Sequence, residues 1–307
     1  MSGSLIIGVA LALNASIIWG INSIIMKKGA VGEDPAKALM WRGLSGGVTL
    51  AIITILVYGW KYLTRLLQPD IFWLVLTTAF LVSMGDSLMI YSFKKAPVSV
   101  VVPVSSTYPL FGAFFVILFK IEPFSWLKII GTIIVIIGIG IIAQQTANKE
   151  QKFDEINTPS NITGIIVSLS ASVFWGLSIA VLSIILSKPM VNGMSLTAVR
   201  AFLIAFIGGT FHLIRYRTGK WKYKIDKEGQ KKARNLFLLS GILGWAIGVT
   251  SFMYAIQKVG ALIATPLSAT NPLFATIFGI LLLKEEVTAF QLIGIVLVVI
   301  GSVIVVF

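Results

Sequence analysis

Asp86 stands out for its chemistry. It sits between Met84-Gly85 and Ser87-Leu88, deep in an apolar run long enough to cross a bilayer. An aspartate at the centre of a membrane helix is unfavourable by roughly 2.5–3.5 kcal/mol, so it must face protein or water. Two readings follow: a proton or cation site, or a structural carboxylate paired with Arg, Tyr or Ser on a neighbouring helix. Arg42 and Arg200 lie in similar runs, about a turn and a half from the helix ends. Each suits a gate, an anion contact or snorkelling to the interface. An interior ion pair between one of them and Asp86 is a further option.

Weaker signals surround these three. Asn14 and Asn22 are eight residues apart and share one helix face, and Ser170, Trp175 and Ser178 form a similar strip further on. Such strips line a cavity or hold helices together. Pro103 and Pro109 flank Ser105, Thr107 and Tyr108, and Pro266 and Pro272 flank Ser268, Thr270 and Asn271 with the same spacing. Proline removes the hydrogen bond to the carbonyl four residues earlier. In a membrane the freed carbonyls of Ser105 and Ser268 need a partner in protein, water or ligand. A polar cavity wall is the favoured reading; helices kinked for packing are the other.

Several chemistries find no residues. There is no cysteine and one histidine, His212, so no metal site is expected. No GxxxxGK[ST], GxSxG or HExxH motif occurs, so neither a cofactor nor a catalytic residue is expected, and the chain is not read as an enzyme. Glu285-Glu286 lies in a tight interhelical loop, where helix capping is the simpler use.

The elements holding these residues are apolar helices. Hydrophobic residues make up 57% of the chain, charged residues 12%, and mean hydropathy is +0.94. Soluble domains carry about twice that share of charge. Ten spans are expected, near 5–27, 37–59, 70–93, 97–119, 126–145, 161–187, 194–215, 235–257, 260–283 and 288–307. The net charge of +13 falls mostly in loops, above all 215–234, so it is not read as a nucleic-acid surface.

The two halves repeat. At a separation of 163, residues 85–142 align with 248–305 without a gap. Tyr91 meets Tyr254, Ser105 meets Ser268, Thr107 meets Thr270, Glu122 meets Glu285, and Gly131 and Gly138 meet Gly294 and Gly301. Upstream, Trp19-Gly20 meets Trp175-Gly176, and Arg42 meets Arg200. Asp86 meets Val249, which confines any acidic role to one half. The domains are then 1–146, a polar linker 147–160, and 161–307. Five spans per unit is odd, so the second unit enters the membrane inverted, an architecture of transporters with a site near mid-membrane. The matched glycines form a small-residue seam for helix packing or dimer contact.

These features together resemble the drug/metabolite transporter superfamily, specifically proteins with two EamA-type units. The carriers are the WG and Arg of each half, GDSLMIYSFKKAPVSVVVPVSSTYPLF, and SFMYAIQKVGALIATPLSATNPLF followed by LLLKEEVTAFQLIGIVLVVIG. The resemblance implies an all-α fold of ten transmembrane helices, a central cavity with Trp175 near it, and alternating access. It also implies cytoplasmic termini, whereas the lysine and arginine count favours external ones. The expected function is secondary transport of a small organic solute such as an amino acid or other metabolite, with proton coupling as an option. A lipid flippase or membrane-embedded enzyme using the same cavity is the alternative. The expected partners are a small-molecule substrate and the lipid bilayer, with no nucleic acid, in a multi-pass monomer or homodimer of the cell membrane.

Overall fold

The computed structural model describes residues 3–30, 33–96, 101, 104–150, 159–219, 225–274 and 288–307, and every regular element among them is helical. In chain order these are α1 (Gly3–Ala30), α2 (Pro35–Tyr58), α3 (Pro69–Ser92), α4 (Tyr108–Leu118), α5 (Trp126–Glu150), α6 (Pro159–Leu186), α7 (Gly193–Arg217), α8 (Lys227–Val259), α9 (Ala261–Ser268) and α10 (Ala289–Val306). A short helical turn, Lys61–Thr64, precedes α3. Six of these helices, α1, α2, α3, α6, α7 and α8, are long and apolar enough to cross a membrane. Shorter apolar helices run over Tyr108–Leu118, Trp126–Ile142 and Leu292–Val306. Part of the expected ninth span, and Pro103, Glu285 and Glu286, lie outside the described residues.

The helices begin where polar caps stand. Asp34 accepts from the Ala36 amide at 3.2 Å to start α2, and Asn192 accepts from the Ser195 amide at 2.8 Å to start α7. Asp34 is fully buried because His212 Nδ1 and Arg215 Nη1, both 2.9 Å away, close over it from the end of α7. His212 is thus a polar residue near a helix end, as its position in the sequence suggests.

One boundary differs from expectation. The polar stretch 215–234 is helical from Lys227 onward, capped by Asp226, whose carboxylate accepts from the Gly229 amide at 2.9 Å. Lys227, Lys231 and Lys232 are exposed, while Ala233 and Phe237 turn inward, with the Phe237 ring seated on Gly29. The charged run hid an amphipathic turn that lengthens the eighth helix.

Helix pairing has a reciprocal pattern. α2 packs along α7 and α5 along α10. α3 packs along α6 while α1 packs along α8, and α4 packs on α6 while α9 packs on α1. Exchanging each helix for its partner in the sequence repeat leaves this set unchanged. The α5–α10 contact is made by the glycine seam. A Cβ on Gly138 would lie 2.7 Å from the Gly294 carbonyl oxygen, and one on Gly301 would lie 2.7 Å from that of Gly131. The seam therefore serves packing within one chain, because only glycine lets these two backbones approach so closely. Outward faces carry large apolar side chains, among them Leu56, Trp73 and Phe206, each more than 60% exposed. Helices apolar on their outer faces as well as inside belong in lipid.

Candidate functional site

α3 and α6 cross where Gly85 faces Trp175. A Cβ on Gly85 would lie 2.6 Å from the Trp175 ring nitrogen. That close approach lets Trp175 Nε1 donate to Asp86 Oδ1 at 3.0 Å. On the other side Arg42 Nη1 donates to Asp86 Oδ2 at 2.5 Å. Both carboxylate oxygens are thus occupied, and Asp86 is 6% exposed. Of the two readings of Asp86, this is the geometry of the ion pair, with Arg42 as the arginine. The Arg42 guanidinium also lies over the Trp245 ring, 5.2 Å from its centroid, where the ring's negative face favours a cation.

The repeat-related crossing of α8 with α1 has the same frame without the carboxylate. Gly248 faces Trp19 as Gly85 faces Trp175, with a would-be Cβ 2.7 Å from the Trp19 ring nitrogen. Here Trp19 Nε1 donates to the Gly244 carbonyl at 3.2 Å. That carbonyl belongs to a π-helical stretch of α8, Gly241–Val249, a kind of local widening often found at functional sites. Arg200 is 5% exposed and its Nη1 has no hydrogen-bond partner among the described residues.

Between these two crossings lies a cavity of about 160 Å³. It is lined from both halves. Asn22, Arg42, Asp86, Ser105, Tyr108, Trp175, Arg200 and Asn271, all singled out from sequence, reach it. Arg42 and Arg200 are each seven residues into their helices, about 10 Å from opposite ends, which places the cavity at mid-depth. Trp19, Ser106 and Ser178 also line it, as does Trp245, which sequence reasoning passed over. The signal for Trp245 is its place inside a helix, away from the interfacial positions that tryptophan favours.

The remaining candidates lie elsewhere. Asn14 Nδ2 donates to Ser251 Oγ at 2.9 Å and ties α1 to α8. Tyr91 is on the outer surface, 5.7 Å from the Lys95 ammonium. Thr107 Oγ1 turns back to the Val104 carbonyl at 2.8 Å. Ser268 Oγ and the Tyr108 hydroxyl are 2.6 Å apart, and Thr270 Oγ1 pairs with Ser16 Oγ at 2.9 Å. Thr107 thus closes its own turn, while the Ser268 and Thr270 hydroxyls join helices. The helices do break at matching places, 106–107 and 269–270. The Ser105 carbonyl freed by Pro109 is taken by Ser172 Oγ at 3.0 Å, so protein satisfies it without a ligand.

The model of one family, "EamA-like transporter family", matches residues 6–144 and again residues 162–307. The chain belongs to the EamA-like transporter family. Like other members it is a multi-pass integral membrane protein. It is 25% identical over 285 residues to an Archaeoglobus fulgidus protein named only as a transporter, covering 91% of each chain. It is 27% identical over 306 residues to a Listeria monocytogenes protein whose name refers to sugar uptake, covering 97% of each. A solved crystal structure with 16% identity superposes with a TM-score of 0.71, covering 97% of this chain and 95% of that one. That likeness places the EamA-like chain in a known fold.

Proposed function

We propose that the chain is a secondary transporter that carries a small organic solute by alternating access between two inverted five-helix repeats, residues 1–146 and 161–307. One observation carries this reading. Four buried polar atoms without a partner among the described residues sit on side chains that line the central cavity: Asn22 Oδ1, Arg42 Nε, Ser178 Oγ and Arg200 Nη1. They form two repeat-related pairs, Asn22 with Ser178 and Arg42 with Arg200. A buried polar atom left unsatisfied is unfavourable by about 1–3 kcal/mol. Matched polar side chains from both halves around one space are what a solute site at a repeat interface requires. The names of several relatives point to sugars as the first solutes to try, ahead of amino acids.

In this reading Asp86 is a structural partner of Arg42, and solute exchange needs no proton. The test is counterflow in proteoliposomes loaded in turn with members of a metabolite panel that includes sugars, their acids and amino acids. Accumulation of external label driven by an internal solute, and its loss in Asn22→Leu with Ser178→Leu, is the expected result. No counterflow with any member, from protein verified as folded, counts against transport.

A further inference from the structure

The cavity's charges do not balance. Among the described residues it is lined by two guanidiniums, Arg42 and Arg200, and by one carboxylate, Asp86. The carboxylate is committed: its oxygens are held by Arg42 and Trp175. Asp86 is near enough to attract Arg200 electrostatically, yet among the described residues no carboxylate lies within ion-pairing distance of Arg200. A buried charge without a partner is among the most unfavourable features a protein can carry, and persists where something offsets it.

The repeat says where the offset belongs. Arg42, Gly85 and Asp86 of the first half form one constellation with Trp175 of the second. Its counterpart is Arg200, Gly248 and Val249 of the second half with Trp19 of the first, and Arg200, Val249 and Trp19 all line the cavity. Every part is present except the acid, whose position is Val249. We propose that the transported solute supplies this charge: a small organic oxyanion, a carboxylate or a phosphate ester, whose anionic group is anchored by Arg200 beside Val249. A guanidinium suits this, since it presents paired donors to two oxygens. The proposal rests on the transport reading for the word "transported" and on the geometry alone for the anion.

The experiment follows the melting temperature of purified protein in neutral detergent during titration with sodium acetate or sodium phosphate, against sodium chloride at matched ionic strength. Wild type is expected to gain a saturable upward shift. Arg200→Gln should lose it or need about tenfold more anion, as loss of one charge-assisted contact implies. Arg200→Lys should keep part of it. Without added anion, Arg200→Gln should melt no lower than wild type, whereas Arg42→Gln, which strands Asp86, should melt lower. Val249→Asp gives the second half the acid that the first half has, and should raise the melting temperature and abolish the anion response. Equal anion responses in wild type and Arg200→Gln overturn the proposal, as does an Arg200→Gln protein as destabilised as Arg42→Gln. Repeating the titration in nanodiscs separates a free solute from a lipid headgroup. Loss of the response when phosphatidylglycerol is present assigns the site to lipid and overturns the solute. Counterflow with glucose and gluconate separates the two proposals. Exchange of glucose untouched by Arg200→Gln leaves transport standing and overturns the anion. An Arg200-dependent melting shift with no exchange of any solute keeps the anion site and overturns transport.

Discussion

At the scale of residues, the centre of the molecule is an ion pair held by a tryptophan. Arg42 and Asp86 are both under 10% exposed, and each would be strongly unfavourable alone. Asp86→Asn should therefore lower stability by about 3–5 kcal/mol, because Arg42 remains buried without its partner. Arg42→Gln with Asp86→Asn should recover much of that loss. The measurement is the melting temperature in detergent for the two single variants and the double. Additive losses would mean that the pair contributes nothing as a pair. Trp175→Phe removes one charge-assisted donor and should be milder, near ~1.5–3 kcal/mol.

At the scale of elements, close helix contacts depend on glycine at particular turns. α5 offers a controlled comparison. Gly138 touches the Gly294 backbone, whereas a Cβ on Gly140 would meet nothing within 4 Å. Gly138→Ala should be destabilising by about 1–3 kcal/mol through overpacking. Gly140→Ala should be neutral or slightly stabilising in a helix. Thermal denaturation of the two side by side checks this, and equal effects would remove the seam from the account. The halves are also joined by a cap. Glu122 Oε1 accepts from the Ala261 amide at 2.5 Å and Oε2 from the Leu262 amide at 3.4 Å, satisfying the first donors of α9. Glu122→Ala should be destabilising by about 1 kcal/mol, and Glu122→Asp should not fully rescue it, since the shorter side chain falls short of both amides.

At the scale of the whole molecule, contacts between connections sort the helix ends onto two sides. Asp34 meets His212 and Arg215, which places the α1–α2 connection beside the end of α7. Glu122 meets Ala261, which places the α4–α5 connection beside the α8–α9 connection. In the proposed arrangement of ten alternating spans these are opposite faces of the membrane. The native chain has no cysteine, so single cysteines report cleanly. Lys61→Cys and Lys188→Cys should label with an impermeant maleimide from one side, and Thr218→Cys from the other. Labelling of Lys188→Cys and Thr218→Cys from the same side would rule out the inverted arrangement.

Composition and hydropathy determined the class, because a chain so poor in charge can satisfy its backbone in lipid only as helices or a closed barrel. The internal repeat matched Arg42 with Arg200 and the glycines with one another, since equivalent positions in two copies face equivalent surroundings. Asp86 was conspicuous from the sequence because a carboxylate in an apolar run must be met by a cation, a donor or water. What the sequence left open was decided by packing between helices distant along the chain. Asp86 is separated from Arg42 by 44 residues and from Trp175 by 89, and only the crossing of α3 with α2 and α6 joins them. The same holds for the hydroxyls. Thr107, Ser268 and Thr270 are polar like Ser106 and Asn271, yet their hydroxyls are taken by Val104, Tyr108 and Ser16 and they do not line the cavity. Periodicity tells which residues share a helix face. It does not tell which neighbour that face meets, because small rotations of a nearly uniformly apolar helix leave its burial in lipid almost unchanged.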